Sequence, residues 1–240
     1  MSKKFLTFVF VIGTLTVTQA QTIIPKIGFV VSSTNATPPD DEFGTKNELS
    51  SGTGFTFGVG YNHPIGTVGK GLFSLQPELS FIQKGFKATT SGETNIGEAY
   101  YDYVADQHYK INYLELPVLA KIEFGSPTAR FSFLAGPSIG FGLGGKLKGD
   151  LTLDDGYEKY KNDIDADIKF GDAPEDAEEI DDVYFDNRLD FGLQLGAGVT
   201  LYNKVAIEVR YGLGFTNLSD DHDTANRVLQ FTVGVPFQLK

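Results

Sequence analysis

The sequence has no cysteine, no tryptophan and one methionine, and beyond its first 20 residues it has no long unbroken apolar run. Without cysteine there are no disulfides and no thiolate metal ligands. Without an apolar run of about 18 residues there is no membrane-spanning helix past the N-terminus. Helical periodicity is missing from the same region, as is any repeat of solenoid or propeller period. No glycine-rich loop is built to cradle phosphate, and no basic patch suits nucleic acid. There are only three histidines, and 31 acidic residues against 20 basic ones leave a net charge of −11.

What the chain does have is glycine, phenylalanine and tyrosine, at 28, 20 and 11 residues. Their arrangement is clearest at 189–217. Leu189, Phe191, Leu193, Leu195, Ala197, Val199 and Leu201 alternate with Asp190, Gly192, Gln194, Gly196, Gly198 and Thr200. The chain is expected to turn at Asn203-Lys204, after which Val205, Ile207, Val209, Tyr211, Leu213 and Phe215 alternate with Ala206, Glu208, Arg210, Gly212 and Gly214. Period two is the signature of a strand, so this is a long hairpin. The bulky face is continuously apolar, and the other is small or polar with a few charges. That inverts a soluble sandwich and suits a barrel wall, with lipid on the apolar face and a narrow lumen behind the other.

The same pattern predicts strands at 25–33, 52–61, 71–86, 109–124, 129–143 and 226–239, with a slip expected near Ile82-Gln83. Connections at 34–50, 88–107, 144–187 and 218–225 are long and polar, and those at 63–70, 125–127 and 203–204 are short. The expected fold is all-β: an eight-stranded antiparallel up-and-down transmembrane β-barrel, with short periplasmic turns and long extracellular loops. Lys3 and Lys4, the apolar core at 5–17 and Thr18-Gln19-Ala20 predict a cleaved signal peptide at 1–20, leaving 21–240 as the barrel domain.

Three segments carry a family likeness. Tyr113-Leu114-Glu115-Leu116-Pro117, Ala135-Gly136-Pro137 and Arg210-Tyr211-Gly212-Leu213-Gly214 resemble the PorT-type outer-membrane β-barrel domain. The resemblance implies a small barrel in the outer membrane of a Gram-negative-type bacterium. The naming member of that family is tied to protein secretion, a role that fold alone does not transfer.

By strand parity the inward charges are Lys26, Glu78, Glu115, Lys121, Glu123, Arg130, Arg188, Asp190, Glu208 and Arg210. A lumen filled by side chains requires buried ions to be paired. The expected network joins Glu78, Glu115, Lys121, Arg130, Glu208 and Arg210, with Arg210 between Glu78 and Glu115. Such a plug rigidifies the barrel; the alternative is a narrow polar pore. The segment 150–186 carries 15 acidic residues against three lysines, and reads as a solvated loop. Asp163, Asp165 and Asp167 mimic the start of a calcium loop and make it a candidate for a cation or a cationic partner. Ile168 and Pro174 stand where such a loop needs glycine and glutamate. A surface hydrolase could use His222, between Asp221 and Asp223, with Ser219 nearby.

The expected function is therefore non-enzymatic, without cofactor or metal. The barrel would be a monomer in contact with outer-membrane lipids, acting structurally or through a protein partner of the envelope or of a secretion system. A soluble lipocalin-like binding barrel is the competing architecture.

Overall fold

The computed structural model describes residues 21–36, 45–97, 99–172, 182–219 and 224–239. The predicted signal peptide and His222 lie outside them. The described residues form eleven strands: β1 (Thr22–Thr34), β2 (Lys46–Val68), β3 (Gly71–Ile96), β4 (Ala99–Gly125), β5 (Ala129–Asp154), β6 (Lys159–Phe170), β7 (Asp182–Phe185), β8 (Leu189–Leu201), β9 (Val205–Gly214), β10 (Asn226–Gly234) and β11 (Phe237–Gln238).

Eight of them close a ring, in the order β1-β2-β3-β4-β5-β8-β9-β10 and back to β1. All neighbours in the ring are antiparallel. β11 continues the eighth wall position and pairs with the foot of β1, Thr22 opposite Gln238. Closure leaves no unpaired sheet edge in hydrocarbon, which is the condition for strands to cross a bilayer.

The outer surface carries the apolar belt. Ile27 is 70% exposed, Phe131 62% and Phe133 61%, values that would be anomalous in water. On β4 the outward apolar residues run from Leu114 to Phe124. Those ten steps, at ~3.3 Å each and tilted by ~40°, span about 25 Å of membrane height.

The strands are longer than their apolar stretches. The expected loop at 88–107 is the upper part of a hairpin in which β3 and β4 stay paired to Ile96 and Ala99. The expected loop at 144–187 contains the top of β5, then β6 antiparallel to it and β7 parallel to β6. β2 begins at Lys46, inside the connection expected at 34–50, and runs to Val68. Sheet pairing continues above the membrane because it satisfies the backbone there as well as below. A wall of strands therefore rises from one side of the barrel.

Two local expectations shift. The slip expected at Ile82-Gln83 lies in the partner strand: β2 takes five steps from Ser51 to Thr56 where β3 takes four from Phe86 to Ile82. β3 keeps its parity, so Lys84 points inward with Glu78. The turn expected at Asn203-Lys204 has Tyr202 and Asn203 at its centre, at φ 51° and 55°. The Lys204 N–H donates to the Leu201 carbonyl at 2.8 Å, and positive φ at both central residues is the mark of a type I′ turn.

Candidate functional site

The lumen is filled in layers. Nearest the short turns, Asn62 donates to Ser74 at 2.9 Å and to Gln76 at 3.1 Å, and Gln76 donates to Glu78 at 2.6 Å. Lys121 pairs with Glu123 at 3.2 Å.

Next comes a four-residue cluster. Arg210 on β9 meets Glu78 on β3 in a forked pair, Nη1 to Oε2 at 2.7 Å and Nη2 to Oε1 at 2.6 Å. The Arg210 Nη2 also pairs with Glu208. Lys26 on β1 bridges the same two carboxylates at 2.7 Å each. Above it lies a second cluster. Lys84 holds Glu115 at 2.8 Å and Asp190 at 3.0 Å, and lies 4.9 Å from the centre of the Tyr113 ring. Gln194 donates to the other Glu115 oxygen at 2.9 Å, and Asn226 to Asp190 at 2.9 Å.

The arrangement differs from the expected one in its pairing. Arg210 holds Glu78 and Glu208, whereas Glu115 belongs to Lys84. Arg130 lies at the foot of β5, opposite Gly125 and Thr200, and joins no ion pair among the described residues. Arg188 is not in the lumen: its guanidinium lies 5.3 Å from the Phe141 ring and 5.8 Å from Phe170. Sequence reading missed Lys84, although its even number already placed it on the face of Ser74, Gln76 and Glu78.

Four buried cations (Lys26, Lys84, Lys121, Arg210) thus face five buried acids (Glu78, Glu115, Glu123, Asp190, Glu208). Arg130, at the foot of β5, is half-buried. Two cavities lie among these charges, each ≈ 10 Å³. That is room for about one water, not for a hydrated ion path.

An apolar stopper closes the upper end. Val30, Ile82, Ile111, Tyr113, Leu147 and Val228 from the wall pack with Ala166, Ile168 and Leu218 from the segments above. Phe170 and Phe185 extend it, Phe170 lying 6.2 Å from Tyr113 at 64°. Phe86 and Tyr109 stack at 4.5 Å. β6 supplies this stopper through Ile164, Ala166, Ile168 and Phe170, which alternate with Asp163, Asp165 and Asp167.

Those three aspartates accordingly stand in a row on the outer face of a strand. They do not wrap a loop as the sequence suggested. Alternate residues of a strand are about 6.6 Å apart, too far to share an ion as successive calcium-loop ligands do. Their neighbours are lysines: Lys146 is 2.7 Å from Asp167, and Lys148 is 3.2 Å from Asp165. That hydrogen bond from Lys146 holds the Asp167 carboxyl below the usual carboxylate range. Of the acid–His–Ser set, Asp221, His222 and Asp223 lie outside the described residues, and the Ser219 hydroxyl donates to Asp186 at 3.0 Å.

A closed eight-stranded ring with an apolar exterior and a paired polar interior defines an outer-membrane barrel. The family model described as "Outer membrane protein beta-barrel domain" matches residues 19–220, and the chain belongs to that family. Its place is the outer membrane of a Gram-negative bacterium. Solved structures similar in outline include Ail of Yersinia pestis, with TM-score 0.35 and 13% identity, covering 92% of this chain and 100% of that one. Another is OprG of Pseudomonas aeruginosa, with TM-score 0.41 and 10% identity over 92% and 98%. Neisserial surface protein A has TM-score 0.37 and 8% identity over 90% and 97%. The family assignment rests on the family model and the strand ring, not on these scores. No curated protein matches the chain in sequence.

Proposed function

We propose that this barrel is a monomeric, non-enzymatic surface protein with a closed lumen, working through its raised extracellular wall by holding a protein partner. The observation that carries the reading is the hairpin of β3 and β4. It continues about 50 Å along the strand above the end of the apolar belt, flanked by β2, β5 and β6. A mobile loop loses entropy when it binds; a paired sheet has already lost it.

The tip has the composition of a contact surface. Tyr157 is 97% exposed, and Tyr100, Tyr160 and Ile96 are exposed with it. Asp102, Asp154, Asp155 and Glu158 lie among them. Exposed tyrosines supply rigid contact area, and the acids select a cationic partner. The resemblance to PorT-type barrels is the ground for looking for that partner in the envelope or in a secretion apparatus, a role that fold alone does not transfer.

Affinity capture from solubilised membranes tests this. A variant with Tyr100→Ser, Tyr157→Ser and Tyr160→Ser should keep its heat-modifiable gel migration and lose its captured partner. Identical captured proteins for variant and wild type would reject the reading. Deleting 150–186 is not a clean test, because it removes Ala166, Ile168 and Phe170 from the stopper.

A further inference from the structure

Just above the apolar belt, the outer wall of β3, β4 and β5 gathers cations in register. The lowest rung there pairs Gln83 with Asn112, joined by a 3.0 Å hydrogen bond. One rung higher, Gly85 is opposite Lys110, and Lys110 is opposite Lys146. The next rung aligns Lys87, His108 and Lys148. Together Gln83, His108, Lys110, Asn112, Lys146 and Lys148 line a groove of ≈ 340 Å³ without a single acid in its lining.

This arrangement works against the sheet. Like charges directly opposite on neighbouring strands destabilise the pairing, yet Lys110 faces Lys146. The aspartates of β6 reach only one edge, since Lys146 and Lys148 are paired with Asp167 and Asp165 while neither Lys87 nor Lys110 has a carboxylate partner among the described residues. Gly85 leaves the β3 end of the rung without a side chain. The groove is therefore open, concave and short of negative charge, on a protein whose net charge is −11.

Its height identifies what would supply that charge. Leu114 ends the continuous apolar outward run of β4, and Asn112 and Lys110 follow it at successive outward positions. Lys110 lies about 13 Å along the tilted strand from Leu114, and its flexible stem can reach back toward the membrane. The headgroup layer occupies about 5–7 Å beyond the hydrocarbon on each side.

We propose that this groove is a binding site for the phosphate groups of an outer-leaflet lipid. Lys110 and Lys146 hold the phosphate as charged donors, Lys87 and Lys148 flank it, and Asn112 and His108 add hydrogen bonds. The acyl chains lie along the belt below, against Phe81, Leu114 and Phe141. The contact is direct and needs no divalent ion.

Native mass spectrometry of the full chain from mild detergent, in EDTA, tests this with bisphosphorylated lipid A, the same lipid stripped of phosphate, and free pyrophosphate. Wild type should retain the phosphorylated lipid and neither of the others. Replacing Lys110, Lys146 and Lys148 by Gln should weaken retention by ~10²-fold, about fivefold per charge. Lys110→Gln alone breaks no ion pair, so it should fold as wild type and still lose about fivefold. Equal retention by wild type and both variants would overturn the site, as would equal retention of the dephosphorylated lipid. Retention seen in a parallel run with a divalent ion and lost in EDTA would assign the contact to that ion and overturn the direct one. Binding of free pyrophosphate as tight as that of the lipid would make the groove a general anion site.

Discussion

Arg210 grips Glu78 across the full width of the barrel, from 132 positions away in sequence. Their strands, β9 and β3, stand four places apart in a ring of eight. The pair is a strut between opposite walls, and a forked guanidinium is the side chain that can hold one carboxylate at two points and a second beside it.

Replacing Arg210 by Met should therefore cost about 3–5 kcal/mol, because Glu78 and Glu208 would share Lys26 as their one remaining ion-pair partner in a confined site. Urea unfolding of the refolded barrel in micelles measures it. Single-channel recording of wild type should show no steady conductance. An unchanged unfolding midpoint together with a conducting wild type would remove the plug from consideration.

Lys84 makes the corresponding cross-lumen contact in the upper cluster. Lys84→Met leaves Glu115 and Asp190 facing each other without their shared cation, and should destabilise as strongly as the arginine change. Adding Asp190→Asn should recover part of the loss. The double-mutant cycle should return a coupling of about 1–3 kcal/mol. Strict additivity would mean that Lys84 and Asp190 do not stabilise one another.

The stopper can be loosened from two directions. Phe170→Ala removes ring contacts with Tyr113 and Phe185 and should cost about 2–4 kcal/mol, less than a fully buried Phe. Gly142→Ala reaches the same ring from the wall, since a Cβ there would stand 2.3 Å from Phe170. Both should speed amide exchange in β6 while leaving the barrel non-conducting, because the charged layers below remain. Conductance in either variant would show that the aromatic layer alone closes the lumen.

The edge between β5 and β6 should respond to acid. Asp167 titrates below the usual carboxylate range because Lys146 hydrogen-bonds it. A carboxyl with a lowered folded pKa contributes its stabilisation above the unfolded pKa and loses it as pH falls through the folded one. The protection of β6 amides, corrected for the intrinsic pH dependence of exchange, should stay constant from neutral pH down to ordinary carboxylate pKa values and fall only below them. Carbon-detected titration of Asp167 should show its depressed midpoint move toward the ordinary value in Lys146→Gln.

The membrane-embedded wall was legible in the sequence because lipid on one side and a crowded lumen on the other impose period two, as from Leu189 to Leu201. The raised wall was harder to read. β6 alternates just as regularly, Ile164, Ala166, Ile168 and Phe170 against aspartates, but the density of acid between 150 and 186 read as solvation. The inward charges followed from parity, and their partners did not. Which residues meet across a lumen depends on strand tilt and stagger, so Glu115 could not be assigned to Lys84 in place of Arg210. Lys84 itself was obscured by an irregularity that belongs to β2.

The seam between the first and last strands has a consequence for assembly. β1 is flanked on one side by β2 and on the other by β10 and β11. Until Asn226–Gly234 arrives, β1 and β9 each present an open edge, and in hydrocarbon each unpaired backbone group costs several kcal/mol. Insertion therefore cannot proceed strand by strand into bare lipid. The sheet must be shielded until Asn226–Gly234 closes it, so one strand decides whether the other seven can enter the membrane.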